Sequence, residues 1–386
     1  MLESPADSDR IPLATIAREW GRIGCVGFGG PPTHIALLRK LCVEERRWLS
    51  AADFEDGIAA TNLLPGPAST QLAIYCAWRL RGQVGAVLGG VCFIVPGLVV
   101  ILGLAALFLS ASPPLWLVGA AAGAGAAVPI VAANTTIGLG ASSWRRAGPE
   151  SFSRLRWIAY LLAGGVTAAT LGSYLVVVLT ACGLLELTIR GRLHATSLGM
   201  LASIPTAAVG GLLSIAWVAF KVGALSFGGG FVIIPLMQGD AVHTYHWMTS
   251  AQFLDAVALG QVTPGPVVQT VAVVGYAAAG VGGGLLASLV AFTPSFLFVL
   301  FGGPYFGRLQ RSHLVQAFLK GAGPAAIGAI GGAAVILGLA LTEPWQFTML
   351  LVAAGWVLVL RRGVVSALLG AGALGAIVTI AGTPIR

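Results

Sequence analysis

Two long stretches of the chain contain only uncharged residues. Residues 82–144 and residues 256–307 have no Asp, Glu, Lys or Arg. A helix crosses a membrane with about 20 apolar residues, so each stretch is long enough for two crossings. The strands of a membrane β-barrel would instead appear as short segments in which apolar and polar residues alternate. The pattern therefore predicts an all-α polytopic membrane protein.

The apolar segments give four candidate membrane spans in each half of the chain. They are 84–109, 115–141, 157–170 and 172–189, followed by 282–303, 315–340, 345–360 and 363–382. Residues 157–189 are short for two full crossings, so whether this segment crosses once or twice is left open. A further apolar segment, 195–215, supplies one more crossing between the halves.

Several short motifs occur twice, and the second copy follows the first at an offset of 199 residues. The matched pairs are Arg22 and Lys221, Gly27-Phe28-Gly29-Gly30 and Ser226-Phe227-Gly228-Gly229, Trp48 and Trp247, Asp56 and Asp255, and Asn62-Leu63-Leu64-Pro65-Gly66-Pro67 and Gln261-Val262-Thr263-Pro264-Gly265-Pro266. One unbroken offset over these motifs indicates a tandem duplication. We predict an N-terminal repeat at 11–190, a joining segment at 191–209 and a C-terminal repeat at 210–382.

Basic residues flank different ends of equivalent helices in the two repeats. Arg79 follows the first Pro-Gly-Pro helix, whereas the equivalent residues 277–284 are uncharged. One span later the pattern is reversed, since residues 110–114 are uncharged and the second repeat has Arg308. Short cytoplasmic loops are enriched in Lys and Arg, so we predict an inverted-topology repeat. The N-terminus is then cytoplasmic and the C-terminus outside, in a bacterial-type inner membrane.

The composition agrees with a membrane protein and excludes several classes of function. Charged residues make up 9% of the chain, against about 25% in a soluble domain. The 54 glycines suit membrane helices that pack closely. The five cysteines form no CxxC pair, and the chain has no Gly-Lys dipeptide of a phosphate-binding loop. We expect no enzymatic activity, no cofactor, no metal site and no nucleic-acid partner.

Proline and glycine interrupt the helices at equivalent places in the two repeats. Gly29-Gly30-Pro31 ends one helix, and the Pro-Gly-Pro motifs at 65–67 and 264–266 interrupt two others, because Pro lacks an N–H and Gly favours positive φ. We predict re-entrant hairpins at 53–80, from the cytoplasmic side, and at 252–279, from the outer side. Broken helices within a membrane are tolerated where they line a polar cavity, so these breaks predict a transport site.

The residues around the breaks are neutral donors and acceptors, and helix N-termini direct N–H groups toward them. This environment suits an anion, with Arg22 and Lys221 offsetting its charge. The candidate substrate-binding residues are Arg22, Phe28, Gly29, Gly30, Asn62, Pro65, Gly66, Pro67, Ser69, Thr70 and Gln71 in the first repeat, and Lys221, Phe227, Gly228, Gly229, Gln261, Thr263, Pro264, Gly265, Pro266, Gln269 and Thr270 in the second.

These assignments have structural alternatives. Ser and Thr beside a kink also bond to the carbonyl groups that the kink frees. The basic side chains at 22 and 221 could instead snorkel to the membrane interface. Asp56 and Asp255 are candidates for proton coupling, or they cap helices and pair with nearby basic residues. His34 has no polar counterpart, since the equivalent residue is Ile233, and we interpret it as a packing residue.

The motifs at the breaks resemble those of a known family. Phe28-Gly29-Gly30-Pro31, Arg46-Arg47-Trp48-Leu49-Ser50 and residues 62–71 resemble the N-terminal domain of the chromate ion transporter superfamily, and residues 227–230 and 260–266 resemble its C-terminal domain. The resemblance covers nearly the whole chain. It implies the long two-domain form with inverted halves, and chromate efflux that confers chromate resistance, with sulfate as a competitor. The second repeat departs from the pattern where Gly230 replaces the proline of the first repeat.

We therefore interpret the chain as a secondary active transporter, of the antiporter type, that exports chromate or a similar tetrahedral oxyanion such as sulfate. The alternatives are a passive oxyanion channel and, from another class, an intramembrane enzyme or a lipid-handling protein. The expected partners are the small inorganic oxyanion and the lipid bilayer. A homodimer is left open.

Overall fold

The prediction of an all-α polytopic membrane protein is confirmed. The structure, a computed structural model, describes residues 11–190, 211–226 and 232–382, and every regular element in these ranges is helical. Four of the described helices are long and apolar enough to cross a membrane: Ala68–Phe108, Leu115–Ala147, Val267–Gly302 and His313–Leu339. The joining segment 191–209, most of the candidate crossing 195–215 and the motif Phe227-Gly228-Gly229 lie outside the described residues.

The first half of the chain contains seven described α-helices. They are α1 (Leu13–Val26), α2 (Pro31–Arg39), α3 (Ala51–Thr61), α4 (Ala68–Phe108), α5 (Leu115–Ala147), α6 (Ser151–Thr170) and α7 (Leu175–Ile189). A π-helical turn, Lys40–Glu45, continues α2. The segment 157–189 therefore belongs to two helices, α6 and α7, which reverse direction at residues 171–174.

The described part of the second half contains eight α-helices. They are α8 (Leu212–Leu225), α9 (Ile233–Gln238), α10 (Ser250–Val262), α11 (Thr270–Gly302), α12 (Phe306–Arg311), α13 (His313–Leu339), α14 (Pro344–Ala354) and α15 (Val364–Ile380). π-helical turns at Gly239–Thr244 and Gly355–Val359 continue α9 and α14.

Local irregularities recur at equivalent positions in the two halves. The long helices α4 and α11 are both kinked, at Gly82 with φ +59° and at Gly280 with φ +60°. The π-helical turns after α2 and α9 are each six residues long. The hydroxyl groups of Ser50 and Thr249 cap α3 and α10. Both hairpins therefore enter their first helix through the same hydroxyl cap.

The equivalent helices α4 and α11 run antiparallel to each other. Gly90 of α4 lies against Phe296 of α11, and further along α4 Leu102 lies against Gly284. The residue numbers rise on one helix as they fall on the other, so α4 and α11 run in opposite directions. This is the arrangement that an inverted repeat requires.

The two halves exchange helices and do not form separate bundles. Helix α5 of the first half packs against α14 and α15 of the second, and α13 of the second half packs against α6 and α7 of the first. Glycines allow the close approach: a Cβ added at Gly164 would collide with the backbone of Ala325, and one at Gly123 with that of Ala371. Small residues thus hold the interlocked helices together, as in other membrane bundles.

Candidate functional site

The break after α1 is bonded to the second Pro-Gly-Pro turn. Gly29 and Gly30 have φ values of +99° and +73°, and α2 begins directly afterwards. The carbonyl of Gly27 accepts a hydrogen bond from the N–H of Gly265 at 3.0 Å. A turn from the second half is therefore fixed to a helix break of the first.

The reciprocal contact joins the first Pro-Gly-Pro turn to the end of α8. The N–H of Gly66, whose φ is +117°, donates to the carbonyl of Ser226 at 3.1 Å. Ser226 directly precedes the second-half motif at 227–229, which lies outside the described residues. Each Pro-Gly-Pro turn is thus bonded to the residue that ends a helix of the other half, Gly27 after α1 or Ser226 after α8.

Each Pro-Gly-Pro turn also touches the proline-containing turn of the opposite long helix. The side-chain amide of Gln269 donates to the carbonyl of Ile94 at 2.7 Å, two residues before Pro96 in α4. The hydroxyl of Ser295, beside Pro294 in α11, would be 3.3 Å from a Cβ added at Gly66. Each Pro-Gly-Pro turn therefore packs against the proline-containing segment of the long helix from the other half.

Several buried polar atoms around the turns have no hydrogen-bond partner among the described residues. They are Oγ1 of Thr70, Oε1 of Gln71, Oγ of Ser226, Nε2 of Gln261, Oε1 of Gln269 and Oγ of Ser295. Buried polar groups are normally satisfied, so such a cluster indicates a site for water or a polar ligand. The hydroxyls and the Gln261 amide can donate to an oxyanion.

The side-chain amides of the two glutamines nearest the turns are hydrogen-bonded to backbone carbonyls. The amide nitrogen of Gln71 donates to the carbonyl of Pro65 at 2.7 Å, as that of Gln269 does to Ile94. Each side chain therefore uses its donor to satisfy a backbone carbonyl freed near a break, and its unpartnered atom is an acceptor. These glutamines support the turns and leave donation to hydroxyls and backbone N–H groups.

His34 joins the α1 break to the start of α4. Its ring is completely buried, with Nε2 2.9 Å from the carbonyl of Gly27 and Nδ1 3.3 Å from the hydroxyl of Ser69. The edge of the ring contacts Phe93 at a centroid distance of 5.0 Å. Sequence comparison of the halves missed this connection, because the equivalent Ile233 has no polar group.

Arg22 does not lie at the breaks. Its Nε is 3.1 Å from Glu19, its side chain is 55% exposed, and Arg18 and Arg46 bind the same carboxylate. It lines a small surface depression with Lys40 and Glu45. The predicted charge compensation by Arg22 is therefore replaced by an ion-pair cluster on the surface.

Lys221 is neutralised by an acidic partner. Its Nζ is 2.5 Å from Asp240, and the side chains are only 14% and 6% exposed. The ammonium group also lies 5.7 Å from the centroid of the Trp217 ring. A buried pair of this kind offers no free positive charge to an anion, so the structure favours a structural role for Lys221.

A large cavity opens at the first Pro-Gly-Pro turn. It has a volume of about 760 Å³ and runs from Thr61, Asn62 and Gly66 to the ends of α5, α6, α7 and α13. We call it the vestibule. Among the described residues, its basic lining residues are Arg146, Arg156, Arg190 and Lys320, and its single acidic lining residue is Glu186. The vestibule therefore carries a net positive charge and attracts anions toward the turn.

The basic residues of the vestibule fall into two groups. Glu186 is buried and accepts hydrogen bonds from Arg156 at 3.0 and 3.2 Å, from Arg190 at 2.8 Å and from the hydroxyl of Tyr160 at 3.1 Å. For Arg146 and Lys320, the described residues provide no carboxylate within ion-pair distance. The sequence did not indicate this set, because four separate helices bring its members together.

The entrance of the first hairpin is fixed by Asp53. It accepts hydrogen bonds from Ser50 at 2.6 Å and from Arg79 at 2.8 Å. These two bonds hold the pKa of the Asp53 carboxyl below its usual value. Arg79 thus ties the start of α3 to α4, in addition to marking the side of the membrane.

The two candidate coupling carboxylates occupy different surroundings. Asp56 on α3 is exposed, whereas Asp255 on α10 is 9% exposed and lies against Gly125 of α5. The described residues show no hydrogen bond or ion pair to Asp255. Asp56 and Asp255 therefore occupy equivalent positions in the sequence but have different surroundings in the structure.

The chain matches a family model described as "Chromate transporter" over residues 14–187 and 213–376. It is 36% identical over 330 residues to the chromate transport protein of Cupriavidus metallidurans, covering 82% of this chain and 80% of the relative. It is 32% identical over 342 residues to a probable chromate transport protein of Synechococcus elongatus, covering 84% of each. An uncharacterized transporter of Bacillus subtilis, YwrB, is 27% identical over 47% of this chain and 93% of its own length. No solved structure matches.

Proposed function

Because the chain belongs to the chromate transporter family, we propose that it exports chromate from the cytoplasm by secondary active transport. The basic vestibule that ends at the first Pro-Gly-Pro turn is the observation that supports this function most directly. Chromate is a tetrahedral dianion, and sulfate has the same charge and shape. Both ions fit such a path, and removal of chromate from the cytoplasm would confer resistance to it.

Backbone N–H groups at the end of the vestibule suit an oxyanion. The first residues of α4, from Ala68 to Thr70, carry N–H groups without an intrahelical acceptor, and Ala68 lines the vestibule. The partial positive charge of the helix N-terminus favours an anion there. In α2 the same positions are Pro31 and Pro32, which have no N–H. The start of α4 is therefore the better donor site.

The arrangement supports a transporter over a channel. The vestibule reaches the first turn, while the second hairpin is packed against α5 and α15. A passive channel would need a continuous pore, whereas alternating access needs one open and one closed side. An antiporter of this kind would couple anion export to proton entry, with Asp56 and Asp255 as candidate carriers.

Transport assays with vestibule variants test this function. In inverted membrane vesicles we expect accumulation of chromate against its gradient, driven by a pH gradient. Arg146→Gln and Lys320→Gln should each raise the chromate concentration for half-maximal uptake about fivefold, since each removes roughly 1 kcal/mol of attraction. Added salt should reduce the difference between variant and parent.

Arg311→Gln is the matched control, since Arg311 is exposed and does not line the vestibule. It should leave half-maximal uptake unchanged. Equal values for the parent chain and both vestibule variants would contradict electrostatic recruitment by the vestibule. Uptake that stops when the concentrations on the two sides are equal would instead indicate a channel.

The membrane orientation gives a further prediction. Phe306 stacks on Tyr75 at 5.6 Å and Gly303 lies against Trp78, so Arg79 of α4 and Arg308 of α12 share one end of the molecule. We propose that this end is cytoplasmic. Single cysteines at 79, 145, 308 and 361 should react only from the cytoplasmic side, and cysteines at 112 and 343 only from outside. Labelling of position 308 in intact cells by an impermeant reagent would contradict the inverted orientation.

A further inference from the structure

The two hairpins have equivalent sequences but opposite surroundings. Helix α3 lines the open vestibule with Ala59 and Thr61, and packs on its other side against α4 and α12. In α10, by contrast, every residue from Phe253 to Gln261 is buried, and the helix packs against α5 and α15. The region equivalent to the vestibule is thus closed in the second half.

A matched pair of glycines shows the same difference at atomic scale. Gly125 in α5 and Gly323 in α13 end the equivalent sequences Gly-Ala-Gly at 123–125 and 321–323. Gly323 lines the vestibule, and no atom of a described residue would lie within 4 Å of a Cβ added there. A Cβ added at Gly125 would lie 3.1 Å from Oδ1 of Asp255 and 3.2 Å from Cγ of Leu254.

The closed region contains polar groups that no described residue satisfies. Asp255 is 9% exposed and Gln261 is 8% exposed, and the amide nitrogen of Gln261 has no partner within the described ranges. An unpartnered carboxyl or amide is costly to bury, and inside a membrane protein such groups generally face a cavity in some functional state. Separation of α10 from α5 would hydrate both.

We propose that α5, α10 and α15 enclose a second vestibule, closed in the present state, which opens to the opposite side of the membrane and releases the oxyanion. This inference rests on the proposed transport function. In the open state Gly125, Asp255 and Gln261 line the second vestibule, as Gly323 and Asn62 line the first. The carboxylate of Asp255, once hydrated, repels the dianion and promotes its release.

The inverted arrangement supplies the physical basis for this second state. Two halves with similar sequences and opposite orientations can exchange conformations at little change in free energy. In the exchanged state α3 closes onto α13 and α10 leaves α5. The described state is open on the side of the membrane where the basic residues lie. The exchanged state is open on the opposite side.

Cysteine labelling of the matched glycines tests the second vestibule. The chain carries five native cysteines, which are first replaced by Ala. Gly323→Cys and Gly125→Cys are then compared in vesicles of both orientations with a membrane-impermeant maleimide. Gly323→Cys should react from the cytoplasmic side. Gly125→Cys should react only from the opposite side. Between 4 °C and 37 °C its rate should rise at least tenfold more than the rate of Gly323→Cys, because the states interconvert slowly at 4 °C.

Leu254→Cys serves as a second probe of the closed region, because a smaller side chain there avoids the crowding that Gly125→Cys introduces. Labelling of either closed-region cysteine from the cytoplasmic side would overturn the inference. Lack of labelling of both from either side, in vesicles that transport chromate, would also overturn it. Thermal interconversion does not require cargo, so opposite-side labelling without chromate uptake would support the second vestibule and contradict only the proposed cargo.

Discussion

Gly66→Ala is expected to reduce transport more than tenfold while the protein still reaches the membrane. Gly66 has a φ of +117°, which non-glycine residues rarely adopt, and strain of this kind costs about 1–3 kcal/mol. An added Cβ would also collide with the amide nitrogen of Gln71, which holds the carbonyl of Pro65. The turn would move, and its N–H would lose the carbonyl of Ser226. Uptake per amount of membrane protein is the measurement.

Two other glycines serve as comparisons for this variant. Gly103→Ala lies in regular helix, and no described atom would lie within 4 Å of the added Cβ, so uptake should match the parent. Gly265→Ala, in the second turn, has φ +94° but its nearest described neighbour is 3.5 Å away, so its loss should be smaller. Normal uptake by Gly66→Ala would show that the first turn is not part of the path. Pro65→Ala and Pro264→Ala should also reduce uptake, because restored helix at the break would remove inward-pointing N–H groups and close the polar cavity.

Lys221→Gln is expected to destabilise the protein by about 3–5 kcal/mol, because it leaves the buried carboxylate of Asp240 without its ion-pair partner. The double variant Lys221→Met with Asp240→Leu removes both charges and should recover most of the loss, since apolar replacements of a buried pair are often close to neutral. The midpoint of thermal unfolding in detergent and the amount of protein in the membrane measure both effects.

The equivalent change in the first half should behave differently. Arg22 is largely exposed, and Arg18 and Arg46 also bind Glu19, so Arg22→Gln should change stability by less than about 1 kcal/mol. These results would separate a structural role from anion binding at position 221. If Lys221→Gln kept its thermal midpoint but weakened half-maximal chromate uptake, Lys221 would act on the substrate.

The sequence alone predicts the class of protein and the places where helices break. Uncharged stretches predict membrane helices because burial of charge in the lipid interior is costly. The Pro-Gly-Pro motifs predict breaks because a missing N–H and a glycine with positive φ act within a few residues. Both effects are local, so membrane helices and helix breaks can be predicted without knowing which segments pack against them. The repeated motifs also gave the correspondence between α3 and α10.

The pairing of these breaks depends on the tertiary structure. Gly66 bonds to Ser226 and Gly265 to Gly27 because the two halves interlock, and the sequence contains no sign of that exchange. Arg22 and Lys221 are equivalent in sequence, yet one pairs with Glu19 on its own helix and the other with Asp240 in the π-helical turn after α9. Ion pairs depend on distance in space, and neither Glu19 nor Asp240 has an acidic counterpart in the other half.

The difference between the halves is the other feature that only the tertiary structure decided. Matching motifs give α3 and α10 the same predicted role, but Asp56 is exposed and Asp255 is buried. Two similar halves can adopt different conformations because helix packing is cooperative and favours discrete arrangements. In one arrangement a gap separates α3 from α13, and in the other α10 contacts α5. The repeated sequence determines which elements of the two halves correspond. The free energy of packing in each state determines which of the two hairpins lines an open vestibule.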